Sequence, residues 1–198
     1  MSPLRPVPVD PMAEVARQFA RAAVGAPADP TAASLATAGA NGRPACRMVL
    51  VKRIDPEGFP FFTNYESRKG RQLAENPWAA LCFHWPWIEF QVRAEGRVER
   101  LPEADSDAYF RSRPRGHQLG AWASRQSEPM RSRVTLLRGV AATQARYLIG
   151  AIPRPPHWGG YRLLPDRIEL WQGRPDRLHD RFLYTLADGA WTRTRLFP

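Results

Sequence analysis

"AASLATAGANGRPACRMVLVKRID", residues 32–55, decides the fold. Asn41-Gly42 at its centre is the strongest short hairpin signal, because both residues accept the positive φ that a tight turn between twisted strands requires. Strand-like runs flank it on both sides. The pattern continues outward. "DPEG" at 55–58 is a second turn, followed by the strand "FPFFTN" at 59–64. "WAALCFHW" (78–85) and "IEFQVRAEGRVERL" (88–101) are two more strands, paired across Pro86. The chain ends in "YRLL" (161–164), "RIELWQ" (167–172), "RFLYTL" (181–186), the turn Asp188-Gly189 and "AWTRTRLF" (190–197). This gives six to eight antiparallel strands, and sheets of that size close into a barrel or sandwich. The hairpins are too tight for a parallel, doubly wound sheet.

Helices are interspersed. Asp10-Pro11 reads as an N-cap with proline at the first helical position, opening "MAEVARQFARAAVG" up to Gly25. Ser67 caps "RKGRQLAEN", which Pro77 ends. "EADSDAYFRSR" (103–113) and a segment around 128–149 have helical composition, and "PRPPHWGG" (153–160) reads as a surface connector. The expected organisation is a tail and first helix over residues 1–28 and one mainly β domain with helices over 29–198.

The 198 residues, 43% hydrophobic and 24% charged, suit one soluble domain with a sizeable core. No apolar run is long enough to span a membrane, and "MSPLRPVPVDP" lacks the apolar stretch of a secretory signal, so the expected location is cytoplasmic. Cys46 and Cys82 lie in apolar runs and read as two buried free thiols. The net charge of +10 fits a nucleic-acid partner, a demand for phosphate ligands, or a codon bias towards arginine. Lysine survives only as Lys52 and Lys69.

Four basic clusters fall at element ends. In "RMVLVK", alternation puts Arg47, Val49 and Val51 on one face and Met48, Leu50 and Lys52 on the other, as in a plain edge strand or a ligand-lining one. In "TNYESRKG", Ser67, Arg68 and Lys69 stand at a helix start, either as solvated charge or as a phosphate site. "YFRSRPR" groups Tyr109, Arg111, Arg113 and Arg115, which favour a helix end or hold a second phosphate. In "WQGRPDRLHDR", Trp171 offers a flat face, Arg177 and His179 are spaced to point the same way on a strand, and Asp180 and Arg181 form a local ion pair unless Arg181 reaches a ligand. The basic residues form no continuous stripe, which argues against nucleic acid. Histidines 84, 117, 157 and 179 show no metal-ligand spacing, and no nucleophile elbow, P-loop or dinucleotide glycine motif occurs.

The ordered set "RMVLVK", "FFTNYESRKG", "QV", "YFRSRPR", "QLGAWASRQS", "WGGYRL" and "IELWQG…RLHDRFLY" closely resembles the pyridoxamine 5'-phosphate oxidase family, from about Asp29 to Pro198. The resemblance implies an FMN-binding split β-barrel and a homodimer with FMN at the subunit interface. The implied activity is oxidation of pyridoxamine or pyridoxine 5'-phosphate by O₂ to pyridoxal 5'-phosphate and H₂O₂. It implies FMN contacts from Arg47, Met48, Val49, Leu50, Val51, Lys52, Phe62, Thr63, Arg68, Lys69, Gln91, Gln126, Ser127, Trp171 and Arg181. It implies substrate contacts from Lys52, Tyr109, Arg113, His117, Arg177, Leu178 and His179, with Arg177 and His179 as the catalytic pair. No metal, nucleic acid or membrane is implied. His117 stands where the family usually has serine, Phe90 where it often has arginine, and the N-terminal basic residues are reduced to Arg5. These departures leave open a related FMN oxidase of the phenazine-forming kind, or a non-catalytic flavin- or nucleic-acid-binding protein.

Overall fold

The computed structural model describes residues 10–198, so Arg5 lies outside the described residues. Eight strands and five α-helices are present among them. The hairpin forms as its turn chemistry dictates: β1 (Ala32–Ala38) and β2 (Pro44–Leu50) pair antiparallel, and Gly42 takes φ +72° in the turn. The remaining strands are β3 (Phe59–Asn64), β4 (Trp78–Trp85), β5 (Phe90–Arg100), β6 (Trp158–Gln172), β7 (Asp180–Ala187) and β8 (Ala190–Leu196). The ladder runs β2-β1-β4-β5-β6-β7-β8, with β3 on the free side of the first half of β6. β2 lies alongside β3 and closes the barrel.

β6 makes the barrel a split one. Its first half pairs with β3 and its second half with β7, while β5 follows it throughout. The change of partner falls at a bulge where Gly96 opposes Pro165 and Glu95 opposes Arg167. Proline gives the ladder no N–H there. A Cβ on Gly96 would sit 2.0 Å from the Leu164 carbonyl oxygen, so only glycine lets the backbones approach this closely. "YRLL" and "RIELWQ" are therefore one strand bent at a bulge, and Trp158-Gly159-Gly160 begins that strand, buried, instead of wrapping over the surface.

Alternating residues fill the barrel: Leu35, Val51, Phe59, Phe61, Phe83, Val92, Leu163 and Ile168 are all fully buried. Each contributes roughly 1.5–3 kcal/mol on transfer from water. α1 (Pro11–Ala23), capped by the Asp10 carboxylate accepting from the Met12 N–H, packs Met12, Val15 and Ala22 into the same core. The Trp87 indole N–H donates to the Ala22 carbonyl at 2.9 Å and pins the helix end.

A second core of Phe110, Leu119, Ile152 and Trp158 supports α3 (Glu103–Ser112) and α4 (Arg115–Ala123). α4 was not expected from the sequence, where Gly116 and Gly120 lower helix propensity. α5 (Arg133–Arg146) starts later than the helical composition suggested. Both cysteines are free, but Cys46 is exposed on the edge strand β2, because it alternates with the inward-facing positions. Arg177 and His179 do not share a strand: Arg177 closes a 3₁₀ turn (Pro175–Arg177) with φ +61°, and His179 follows it before β7 begins. Asp180 and Arg181 point apart, as neighbours on a strand must. Asp180 pairs with Arg174 and Arg195, and Arg181 pairs with Glu169.

Candidate functional site

A cleft of about 820 Å³ opens between the end of β2, the end of β3 and the α3–α4 pair. It brings together Leu50, Lys52, Phe62, Thr63, Tyr109, Arg113, His117 and Gln126 from the sequence-derived set. Leu50 and Met48 project outward, while Val49 and Val51 face the core. Phe62, Tyr109 and Trp158 stack as a nearly parallel aromatic wall, with Phe62 and Tyr109 centroids 3.8 Å apart.

Behind the cleft lies the most informative residue. Ser67 caps α2 (Arg68–Glu75), its Oγ accepting from the Gly70 N–H, and this turns Lys69 inward. Lys69 is only 8% exposed. Its ammonium donates to Thr63 Oγ1 (3.0 Å), Gln126 Oε1 (3.0 Å) and Ser67 Oγ (3.3 Å). No carboxylate pairs with it among the described residues. Burial, reinforced by the nearby Arg47 charge, pulls its pKa down to about 8. Arg47 is itself held below the ordinary guanidinium range, chiefly by burial. Its Nη1 donates to the Leu35 carbonyl and Thr37 Oγ1, and its Nη2 to Gln72 Oε1. Arg68 lies exposed beside them. Buried cations without a counter-ion are costly, and an anion entering here would relieve that cost. Ser127, with φ +76°, follows Gln126 at the edge of this cluster.

At the other end, Arg113 caps the C-terminus of α3 and lies over the Trp158 ring at 4.5 Å. Its Nη1 is buried with no hydrogen-bond partner among the described residues, and burial lowers its pKa. Tyr109, His117 and the first turn of α4 surround it. Arg111 is exposed and not among the cleft-lining residues. Lys52 lines the cleft while pairing with Asp29 at 3.2 Å. Asn64, Gly116, Gly120, Ser124 and Trp158 line it too and were not singled out. Asn64, Gly120, Ser124 and Trp158 do fall within the stretches that carry the family resemblance.

The remaining expected residues sit elsewhere. In the ladder, Gln91 faces Trp171, and Trp171 faces Arg181. The three form one row across β5, β6 and β7 on the face opposite the core, where Val92, Leu170 and Phe182 point inward. His179 lies 4.6 Å from the Trp171 ring, and its Nδ1 accepts from the Arg174 N–H. Leu178 and His179 line a separate, smaller cavity with Arg195 and Phe197. Thr63 pairs with Gly159 at one end of β6 and Trp171 lies near the other, about 40 Å of strand apart. One chain thus carries the expected residues in two separate groups.

Comparison with known proteins matches residues 19–147 to the model described as pyridoxamine 5'-phosphate oxidase. Residues 158–198 match the pyridoxine 5'-phosphate oxidase C-terminal dimerisation region. The chain is 56% identical over 189 residues to the pyridoxine/pyridoxamine 5'-phosphate oxidase of Anaeromyxobacter dehalogenans (strain 2CP-C), covering 96% of each. It is 50% identical over 192 residues to that of Myxococcus xanthus (strain DK1622), covering 97% of this chain and 93% of the relative. Among solved structures, PhzG from Burkholderia lata 383, in complex with tetrahydrophenazine-1-carboxylic acid, superposes with a TM-score of 0.92 at 34% identity, covering 100% of this chain and 99% of that one. A pyridoxamine 5'-phosphate oxidase-related, FMN-binding protein of Nostoc punctiforme PCC 73102 shares the fold at a TM-score of 0.72 and 19% identity, covering 98% of this chain and 100% of that one.

Proposed function

We propose a function from one premise: the chain belongs to the pyridoxamine 5'-phosphate oxidase family. On that premise it is an enzyme that oxidises pyridoxamine and pyridoxine 5'-phosphate to pyridoxal 5'-phosphate, using FMN and O₂ and releasing H₂O₂. The observation that carries this reading is the Lys69 ammonium, buried beside Arg47 with hydroxyls and an amide but no carboxylate around it. Those residues fit a phosphate.

When bound, FMN supplies the two-electron acceptor between substrate and O₂. Lys69, Arg47 and Arg68 hold its phosphate. Arg113, through its unpartnered Nη1, holds the substrate phosphate with Tyr109, Lys52 and His117. The row Gln91–Trp171–Arg181 and the pair Arg177 and His179 come from a second copy of the chain, because the two half-sites lie too far apart along β6 to meet on one ligand. The match of residues 158–198 to a dimerisation region supports this arrangement. Arg177 orients the reacting carbon. His179, whose Nδ1 is engaged by the Arg174 N–H, has Nε2 left to hold a proton. No helix among the described residues is long and apolar enough to cross a membrane; a cytoplasmic location belongs to the same proposal.

The test is the visible spectrum of the purified protein under nitrogen. A flavin band that bleaches on adding pyridoxamine 5'-phosphate and returns with air supports the reading; a colourless protein, or a band that the substrate leaves unchanged, refutes it. The full-length match to the phenazine-linked structure, together with His117 in the cleft, favours a second reading in which the substrate lacks a phosphate. Bleaching by a reduced phenazine carboxylate and not by pyridoxamine 5'-phosphate would select that one.

A further inference from the structure

Two charged side chains are buried among the described residues, Lys69 and Glu169. Lys69 is accounted for by the anion site. Glu169, 7% exposed, lies on β6 two residues before Trp171 and therefore on the same face of the sheet. Its Oε2 accepts from Arg93 Nη1 at 3.0 Å across β5, its registered neighbour. Its Oε1 accepts from Arg181 Nε at 2.8 Å, diagonally across β7. Arg181 Nη1 donates to the Phe197 carbonyl at 3.0 Å. With Nε and Nη1 both held, the guanidinium cannot swing, and Nη2 is the nitrogen left for another acceptor.

A carboxylate buried this way brings little net stability, because desolvation offsets the attraction. Its position carries the meaning. The row Gln91–Trp171–Arg181 and the adjacent row Arg93–Glu169–Leu183 lie side by side in the ladder. The second row supports the first. We propose that Glu169 is a positioning residue: it fixes Arg181 beside Trp171 so that the free guanidinium nitrogen meets the flavin at a set distance and angle. This rests on the reading of Arg181 as a flavin contact.

A double-mutant cycle on the dimeric apoprotein tests it, with FMN affinity read by fluorescence quenching and folding by the apoprotein melting midpoint. Glu169→Gln keeps the shape and one acceptor oxygen but loses the charge. The expected result is a roughly tenfold weaker FMN Kd when Arg181 is present, matching the loss of one charge-assisted hydrogen bond, and no further loss in an Arg181→Ala background. If Glu169→Gln weakens FMN equally in both backgrounds, its role is general to the fold and the proposal fails. If Arg181→Ala weakens FMN and Glu169→Gln does not, the positioning claim alone fails. If Arg181→Ala leaves FMN affinity unchanged, the reading of Arg181 fails and takes the proposal with it. Should Glu169→Gln not fold, Glu169→Asp, which draws the carboxylate back by one methylene, is put through the same cycle with the same outcomes.

Discussion

The cleft region and the C-terminal strands are both rich in cations, arginine with both of the chain's lysines in the first and arginine alone in the second, yet their charges are managed in opposite ways. Among the described residues, Lys69, Arg47 and Arg68 in the cleft region have no carboxylate partner, and Arg113 has a buried nitrogen with no hydrogen-bond partner. On strands β5–β8 most cations are paired: Arg181 and Arg93 with Glu169 on the face that carries Trp171, and Arg174 and Arg195 with Asp180 on the other. Unpaired buried cations store an attraction that an incoming anion releases, so under the proposed function the cleft region sets affinity. Paired cations are held still, so under the same proposal the Trp171 face sets orientation. Arg177 is the exception there, exposed, in a strained turn at φ +61°, and without an ion pair among the described residues.

That contrast can be broken at four points. The largest expected effect is on the orienting side. Arg177→Ala should lower kcat by about 100-fold, the cost of misplacing a reacting atom, with the flavin band retained at full intensity. Steady-state oxygen uptake and the spectrum of the same sample check both halves. Next comes Lys69→Met. It should weaken FMN about 10- to 100-fold, as expected for a hydrogen bond to a charged group, while raising the apoprotein melting midpoint because an unpaired buried charge is removed. A fall in both would make Lys69 structural.

The third point concerns pH. Lys69 is pulled down to about 8 when folded, from 10.5. Between those values the unfolded chain binds the proton that the folded chain has released, so apoprotein stability rises with pH across that window. The gain from pH 8 to 10, measured against Lys69→Met by denaturant melts, should be about 2 kcal/mol and should vanish with saturating FMN. The smallest effect is expected from Ser67→Ala, which removes the α2 cap and one Lys69 acceptor: about 1 kcal/mol of stability with only a few-fold loss of FMN affinity.

Much of this was legible in the sequence, because local chemistry set it. Asn41-Gly42 specified its hairpin, and the strands at 59–64 and 78–85 fall where turn residues bound them. Ser67 marked the start of α2, although whether Lys69 beside it was solvated or buried could not be read from the sequence. What stayed hidden depends on tertiary context. Pro165 reads as a break, but the bulge opposite Gly96 absorbs it and keeps β6 continuous. The two glycines of α4 hide a helix that rests on Leu119 and Trp158. Arg177 and His179 look like strand neighbours until the 3₁₀ turn is seen. Phe90, standing where arginine is usual, is buried and stacked on Trp85, so it serves the core. Above all, spacing along a chain does not reveal that the expected ligand residues fall into two separate groups on the fold.

The central claim is that a working site joins the cleft of one protomer to the β6–β7 face of its partner. Complementation tests it most directly. Lys69→Met protomers, inactive as homodimers at an FMN concentration well below their weakened Kd, and Arg177→Ala protomers, slow in turnover, are co-expressed with different tags, isolated as the mixed dimer and assayed at that limiting FMN concentration. In a two-fold symmetric pair one site then carries both lesions and the other neither, so about half of wild-type activity should return. A mixed dimer no more active than its parents would mean that each site is built within a single chain, and would contradict the account.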